Sequence, residues 1–362
     1  MERLNNITKA CRAFLEFDSI EELENIPNGH INVTDRVKIN GRNYIIQRIN
    51  TGIFKDPIGL MSNISSVTEF LRKKIIEEGG DPDRETLTLL TAKDGKCYYE
   101  NENGFYRMYL YITDATCYNK AEKDGMFGES AKAFGRFQNL LAEFDAKSLS
   151  ETIKDFHNTP VRFNNFERAL AENKAGRKDE CLPEIEFYLA RKDYCPTITA
   201  RLADGRLPTR VTHNDTKLNN VMLDDATGKG ICVIDLDTVM PGSMLYDFGD
   251  SIRFGASSAA EDEKDLDKVY CVPALYEEYV SGFLSEMKDT ITDEEIKLLH
   301  DGAIMMTLEC GMRFLTDYLE GDTYFRTHYE GQNLDRARTQ MKLVADMEAR
   351  RDEFEAIIKK YI

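Results

Sequence analysis

One stretch near the middle of the chain combines residues suited to moving a phosphoryl group. It runs His213-Asn214-Asp215, has Asn220 five residues after the aspartate, and is followed by an apolar run that ends at Asp235. A carboxylate can hold an acceptor hydroxyl in line and take its proton, which fits Asp215. Amide and carboxylate oxygens are ligands that Mg²⁺ prefers, which fits Asn220 and Asp235. The spacing therefore predicts a phosphotransferase site with Asp215 as the base.

Other aspartates near this motif need separate interpretations. Asp247-Phe248-Gly249 spells the metal-binding triplet of protein kinases, but it lies 32 residues after Asp215, whereas Asp235 lies 20 residues after it. The shorter spacing fits a single hairpin between base and metal ligand, so we interpret Asp247 as a structural acid that braces the catalytic loop. His213 should brace the same loop by hydrogen bonds. For Asp237 a metal contact, a substrate contact and a solvated turn stay open, and the solvated turn is favoured.

The elements that must position these residues change character along the chain. Residues 3–18 have helical apolar spacing, and Asn40-Gly41 between 33–39 and 43–49 is a hairpin signal. A helix over 57–78 and strands over 97–100 and 105–112 complete a small sheet lobe. Further on the patterns are mainly helical, at 130–144, 161–175, 180–192, 245–254, 271–287, 292–320 and 333–361. We predict an α+β fold with an N-terminal nucleotide-binding lobe, residues 1–112, and a C-terminal catalytic and substrate-binding lobe, residues 113–362.

Composition excludes several classes of partner. The 362-residue chain is 42% apolar and 31% charged, with a formal net charge of −17. Such a charge argues against nucleic acid or an acidic membrane surface as partner, while an anionic nucleotide remains possible at a site with Mg²⁺ and backbone donors. The eight cysteines form no C-x-x-C pair, which is typical of thiols in a reducing cytoplasm. No signal region or membrane span is visible, so we expect a cytoplasmic protein.

The motif resembles that of the aminoglycoside phosphotransferase and choline kinase family, which is usually H-G-D-x₄-N followed by I-D. The similarity is closer to one branch, the N-acetylhexosamine 1-kinases, which shares Asn214 in place of glycine. Similar segments lie at 28–32, 44–47, 211–220, 235–251, 253–255 and 309–314. The resemblance implies a two-lobed protein-kinase-like fold, ATP and Mg²⁺ as co-substrate and metal, and phosphorylation of the anomeric hydroxyl of N-acetylglucosamine or N-acetylgalactosamine.

The resemblance also implies roles for individual residues. Asp215 would contact the acceptor as well as act as base, and Asn220 and Asp235 would bind the metal. The implied sugar contacts are His30, Arg313 and Tyr324. The implied nucleotide contacts are Gly29 and Asn32. His30 and Asn32 would lie in a loop between the two ligands. For Gly29 a plain turn is nearly as good an interpretation.

One departure from the family concerns phosphate binding. The strand position that usually carries a lysine reads Tyr44-Ile45-Ile46-Gln47-Arg48, which offers Gln47 or Arg48 as nucleotide contacts. Strand alternation lets only one of the two face the cleft. Glu69 is a candidate for the partner acid on the following helix. By fold analogy the adenine site should lie near residues 109–113.

Several alternatives stay open at this stage. Arg313 could pair with Glu309 or Asp317, which lie four residues away on either side of it. The acceptor could be choline, homoserine or an aminoglycoside instead of an amino sugar. The chain could also be a pseudokinase that binds a nucleotide without transferring phosphate, because the usual lysine is missing. The oligomeric state has no signal in the sequence.

Overall fold

The computed structural model of the protein describes residues 2–27 and 31–362. The roles expected for Gly29 and His30 lie outside these described residues. Within them the chain forms an antiparallel sheet near the N-terminus and then a larger, mainly helical part. The α+β fold class predicted from the sequence is confirmed. In the described ranges no helix is both long enough and apolar enough to cross a membrane.

The N-terminal sheet is built from antiparallel strands. They are β1 (Glu22–Ile26), β2 (Val33–Ile39), β3 (Arg42–Ile49), β4 (Tyr99–Asn101) and β5 (Gly104–Leu110). Their order across the sheet is β1-β2-β3-β5-β4. The turn between β2 and β3 falls at Asn40 and Gly41, whose φ angles are 51° and 74°. A two-residue hairpin of type I′ needs positive φ at both positions, which asparagine and glycine tolerate, so the Asn-Gly signal predicted this hairpin correctly.

The two faces of the sheet bury different cores. Val37, Tyr44 and Ile46 point to one face and form an apolar cluster with Ile7 and Cys11 of helix α1 (Glu2–Phe14). The alternate side chains of β3 and β5 point to the other face, because successive residues of a strand alternate between faces. That second face is directed towards helix α2 (Pro57–Glu77) and the catalytic motif.

Helix α2 belongs to the core of the C-terminal part. It begins after Asp56, whose carboxylate accepts a hydrogen bond from Gly59 N at 2.9 Å. Its buried apolar side chains lie in the large core cluster shared with the C-terminal helices. Asn63 adds hydrogen bonds, since its Nδ2 donates to Ser150 O at 2.8 Å and to Val239 O at 3.0 Å. Packing and hydrogen bonds therefore both join α2 to the C-terminal part.

The rest of the chain is mainly helical. After the short helix α3 (Pro82–Glu85), the helices are α4 (Met126–Leu140), α5 (Thr159–Glu172), α6 (Leu182–Leu189), α7 (Thr197–Ala203), α8 (Met244–Gly255), α9 (Pro273–Met287), α10 (Asp293–Glu320), α11 (Gln332–Ala349) and α12 (Arg351–Lys359). The last two meet at Arg350, so the prediction of one helix over 333–361 is wrong. Helices α8 and α10 cross closely, because a Cβ on Gly249 would lie 2.3 Å from Gly302 O.

Short strands in the C-terminal part hold the motif loops. They are β6 (Ala115–Cys117), β7 (Arg210–Thr212), β8 (Val221–Asp224), β9 (Gly230–Val233) and β10 (Met240–Gly242). One sheet has the order β6-β8-β9, and β7 pairs with β10. The loops after β7 and β9 are joined directly, since Ile234 N donates to Asn220 O at 2.9 Å. Strand β6 pairs with β8 and so already belongs to the C-terminal part, while the division into lobes 1–112 and 113–362 stays a prediction.

Candidate active site

The loop from residue 213 to 220, here called the catalytic loop, connects β7 to β8 and carries Asp215. The face of the N-terminal sheet that carries Arg107 meets the neighbouring loop that carries Asp235, since Arg107 pairs with Asp237, and we call this junction the cleft. The Asp215 side chain is 30% exposed, and its Oδ1 lies 2.7 Å from Lys217 Nζ. Its Oδ2 accepts a hydrogen bond from Asn220 Nδ2 at 3.1 Å. Asp215 is therefore fixed by an ammonium and an amide while part of its carboxylate stays open to a ligand.

Asp247 of α8 fixes the backbone of the catalytic loop from the core side. This buried carboxylate accepts hydrogen bonds from His213 N at 2.9 Å, Asn214 N at 2.8 Å and Gln138 Nε2 at 2.7 Å. Burial raises the pKa of Asp247, and the N–H donors act against that shift. Asp247-Phe248-Gly249 lies inside a helix, where its glycine permits close helix packing. The triplet therefore has a structural role, in line with the interpretation from spacing.

His213 and Asn214 hold the start of the catalytic loop. His213 Nε2 lies 2.8 Å from Ile234 O, and its Nδ1 accepts a hydrogen bond from Asp215 N at 3.3 Å. This network assigns the ring proton to Nε2 of a neutral imidazole. Asn214 has a φ of 66° and donates from Nδ2 to Thr238 O at 2.7 Å. A left-handed φ suits glycine and asparagine, which explains why asparagine replaces the common glycine here.

Asn220 and Asp235 offer oxygen atoms suited to Mg²⁺. Asn220 Nδ2 donates to Asp215 O at 2.8 Å, and its Oδ1 accepts no hydrogen bond from a described residue. The Asp235 carboxylate opens to solvent and likewise has no hydrogen-bond partner in the described ranges. Among those residues, no three His, Cys, Asp or Glu side chains form a ready-made metal site. Mg²⁺ takes few protein ligands and completes its shell with water and phosphate oxygens, so an amide oxygen and a carboxylate are suitable ligands for it.

Asp235 lies among negative charges. Although its side chain reaches solvent, protein atoms crowd its other sides. This loss of solvation, followed by the charges of Asp237 and Asp215, raises the pKa of Asp235 to about 6. A bound divalent cation would relieve the repulsion among the three carboxylates. The charge distribution therefore fits a metal at Asp235.

Asp237 does not lie in a solvated turn, so that interpretation of the sequence is wrong. It is buried and forms an ion pair with Arg107 of β5. It also accepts a hydrogen bond from Asn32 Nδ2, while Asn32 Oδ1 accepts one from Asn50 N at 2.9 Å. Asn32 therefore lies beside the loop that carries Asp235, and a nucleotide contact for it stays a prediction.

The structure decides which residue of β3 faces the cleft. Gln47 does, since its Oε1 accepts a hydrogen bond from Arg107 Nε at 2.8 Å. Arg48 points to the opposite face, where it lines a cavity of about 320 Å³ with residues of α1. Arg48 as a nucleotide contact is therefore wrong, because strand alternation turns it away from the cleft. Glu69, the candidate for the partner acid, is exposed and accepts a hydrogen bond from Ser65 Oγ at 2.8 Å, and its role stays a prediction.

Arg313 and Tyr324 form a second group, on α10 and the segment that follows it. Arg313 of α10 donates from one terminal nitrogen to the Tyr324 hydroxyl at 3.4 Å. Its guanidinium carbon lies 5.4 Å from the ring centroid of Phe325, 5.7 Å from that of Tyr324 and 5.9 Å from that of Phe156. The guanidinium is thus surrounded by aromatic rings.

The ion-pair alternative for Arg313 is excluded. Glu309 is occupied by His157, whose Nδ1 lies 2.9 Å from its Oε1. The carboxylate of Asp317 accepts hydrogen bonds from the backbone N–H groups of residues 323–325. Within the described ranges Arg313 forms no ion pair, so it is available to a ligand.

Comparison with known proteins places the chain in a family. The family model described as "Phosphotransferase enzyme family" matches residues 96–279, which is just over half of the chain. The chain belongs to this family. The match includes the catalytic loop and the loop that carries Asp235.

Solved structures share the fold of this phosphotransferase. Choline kinase from Cryptosporidium parvum is 14% identical, with a TM-score of 0.59 and coverage of 99% of both chains. An aminoglycoside phosphotransferase from Alicyclobacillus acidocaldarius is 11% identical, with a TM-score of 0.57 and coverage of 98% of this chain and 95% of that one. Spectinomycin phosphotransferase, solved with ADP and spectinomycin, is 13% identical, with a TM-score of 0.57 and coverage of 97% and 98%.

Two residues of this phosphotransferase went unrecognised in the sequence. Lys217 lies two residues after Asp215 and contacts it, and that spacing was the signal available. Burial alone would lower the pKa of Lys217, but the charges of Asp215 and Asp250 more than offset this and raise it. Arg107 had no local signal, because only the pairing of β5 with β3 brings it opposite Gln47.

Proposed function

We propose that this phosphotransferase transfers the γ-phosphoryl group of ATP, with Mg²⁺, to the anomeric hydroxyl of an N-acetylhexosamine, giving a hexosamine 1-phosphate. The observation that carries the proposal is the grouping of Asp215, Asn220 and Asp235 on two joined loops at one side of the cleft. N-acetylglucosamine and N-acetylgalactosamine are both candidates. ATP and the amino sugar would be its partners, and placement in the cytoplasm stays a prediction.

Asp215 and Lys217 have complementary tasks in this proposal. The open side of the Asp215 carboxylate accepts the hydrogen bond of the acceptor hydroxyl and takes its proton as the new O–P bond forms and the bond to ADP breaks. Lys217 Nζ, 2.7 Å from Asp215 Oδ1, orients that carboxylate through an ion pair. Mg²⁺ bound at Asn220 and Asp235 would supply positive charge to the phosphate oxygens.

The surroundings of Arg313 favour a neutral, hydroxyl-rich acceptor over an ammonium compound. The faces of Phe156, Tyr324 and Phe325 already lie near the guanidinium, so they are not free to surround an ammonium group. A second arginine, Arg162, lies nearby, and its pKa is lowered by burial and by the charge of Arg313. Guanidinium groups repel ammonium groups but donate hydrogen bonds to hydroxyl and acetamide oxygens.

The alternatives differ from the proposal in measurable ways. Choline and aminoglycosides are cationic and would meet the two arginines. A pseudokinase would bind nucleotide without transferring phosphate.

The test is an ADP-release assay with Mg²⁺ and ATP over free N-acetylhexosamines, choline, homoserine and an aminoglycoside. We expect release with an N-acetylhexosamine, and ³¹P NMR should place the phosphate at carbon 1. The matched control is the 1-deoxy analogue of the same sugar, which keeps every other group and should give no release. If ADP is released with choline alone, choline and not the amino sugar is the acceptor. If the protein binds ADP but releases none from ATP with any compound, the pseudokinase alternative is favoured.

A further inference from the structure

A buried arginine joins the N-terminal sheet to the loop that carries the candidate metal ligand. Arg107 of β5 has 1% of its side chain exposed, and its partner Asp237 has 5%. A guanidinium is rarely buried unless specific acceptors hold it. Burial alone would lower the pKa of Arg107, but the charge of Asp237 more than offsets this and raises it. The guanidinium therefore stays charged.

Polar contacts that start from this guanidinium link three strands and the loop after β9. Arg107 Nε donates to Gln47 Oε1 of β3 at 2.8 Å, and Gln47 Nε2 donates to Thr34 Oγ1 of β2 at 2.9 Å. Asp237 forms the ion pair with Arg107. It also accepts a hydrogen bond from Asn32, which precedes β2. The β3–β5 ladder sets this alignment, since it places Gln47 opposite Arg107.

We propose that Arg107 is a positioning residue: by holding Asp237, it fixes the turn that carries Asp235, which would bind the metal. The link is short, because Asp237 lies two residues after Asp235. Asp235 itself has a φ of 59°, a conformation that a residue other than glycine keeps only when its surroundings hold it. The inference rests on the proposed Mg²⁺-dependent transfer.

Arg107 acts through Asp237 rather than by touching the phosphates. Its side chain is almost completely buried, and its Nε and one terminal nitrogen are engaged by Gln47 and Asp237. A lysine on β3 would present its charge directly to a phosphate, whereas the charge of Arg107 is paired with Asp237 in the loop. The expected signature is therefore a change in the coupling between metal and nucleotide, beyond any change in stability.

The test measures ADP binding with and without Mg²⁺ by calorimetry, together with thermal unfolding of the full chain. Arg107→Met removes the charge, Arg107→Lys keeps it without the fork of donors, and Arg107→Met combined with Asp237→Asn removes both buried charges. Arg136→Met is the control. That arginine also makes ion pairs between α4 and the N-terminal part, with Glu78 at 2.7 Å and Glu85 at 2.9 Å, outside the catalytic loop.

In the wild type, Mg²⁺ should raise the affinity for ADP. We expect this increase to be about 10- to 100-fold smaller in Arg107→Met, because removing a residue that orients a metal ligand usually has an effect of that size. ADP affinity without Mg²⁺ should be unchanged. Arg107→Lys should recover part of the gain. The double variant should regain the thermal stability lost in Arg107→Met, because no charge is left buried alone, but not the Mg²⁺ effect. Arg136→Met should lower stability only.

Two results would overturn the inference. If the double variant regains the Mg²⁺ effect along with stability, Arg107 merely neutralises Asp237. If Arg107→Met or Arg107→Lys keeps the full Mg²⁺ effect, Arg107 does not position the metal loop. A wild-type protein without Mg²⁺-dependent ADP binding would overturn the proposed function itself, and this inference with it.

Discussion

Asp247→Asn separates a structural acid from a metal ligand. Asp247 receives three N–H donors, from the backbone of His213 and Asn214 and from the Gln138 amide. Asparagine has nearly the same shape, but one of its two terminal atoms is an NH₂ group, which cannot accept a hydrogen bond. Whichever way the new amide turns, at least one buried donor loses its acceptor.

The free energy of unfolding should fall by roughly 2.5–5 kcal/mol. Losing one hydrogen bond to a charged acceptor costs about 1.5–3 kcal/mol. The remaining two bonds would run to a neutral oxygen and weaken by about 0.5–1 kcal/mol each, since charge-assisted bonds are roughly twice as strong as neutral ones.

The assay combines urea unfolding with calorimetric ADP binding in the presence and absence of Mg²⁺. We expect Asp247→Asn to lose stability while the folded protein keeps its Mg²⁺-dependent ADP binding. Asp235→Asn is the matched control. Its carboxylate accepts no hydrogen bond from a described residue, and burial and the charges of Asp237 and Asp215 raise its pKa, so removing its charge should not lower stability near neutral pH. The Mg²⁺ effect should vanish in that control. The reverse pattern would make Asp247 the metal ligand and refute the assignment of Asp235.

Three further substitutions test the base, the sugar contact and the loop backbone. Asp215→Asn should lower turnover by roughly 10²–10⁴-fold with ATP binding unchanged, and retained turnover would remove Asp215 from the base role. Arg313→Ala should raise the sugar KM by roughly 10- to 100-fold, the loss of one charged hydrogen bond, and an equal rise in the ATP KM would contradict a sugar contact. Asn214→Ala should cost roughly 2–3 kcal/mol of unfolding free energy, through left-handed strain and lost hydrogen bonds. Asn214→Gly should be milder, and equal losses would argue against backbone strain.

Local signals predicted the catalytic loop and its supports. The spacing of Asp215, Asn220 and Asp235 reflects one loop followed by one hairpin, so neighbours in sequence are also neighbours in space. The same reasoning predicted that Asp247 braces the catalytic loop, and its carboxylate does accept hydrogen bonds from the backbone of His213 and Asn214. The Asn-Gly turn between β2 and β3 is likewise a property of two adjacent residues.

Contacts between distant segments were beyond the sequence. Asp237 looked like part of a polar turn, and its burial depends on Arg107, which lies 130 residues earlier. Gln47 and Arg48 were equivalent candidates until the sheet fixed which face each one meets. The ion-pair alternative for Arg313 fell because His157, far from it in sequence, already occupies Glu309. In each case tertiary packing chose between options that local spacing left equal.

The anchoring of helix α2 has a consequence for how the enzyme opens. This helix shares its core with the C-terminal helices, and Asn63 binds two backbone carbonyls there. We therefore expect α2 to keep its place against the C-terminal helices as nucleotide enters and leaves. Protein kinases control activity by repositioning the helix beside their sheet. With that helix fixed, its movement could not switch this enzyme on and off. The rate of the enzyme would then depend on the concentrations of its substrates.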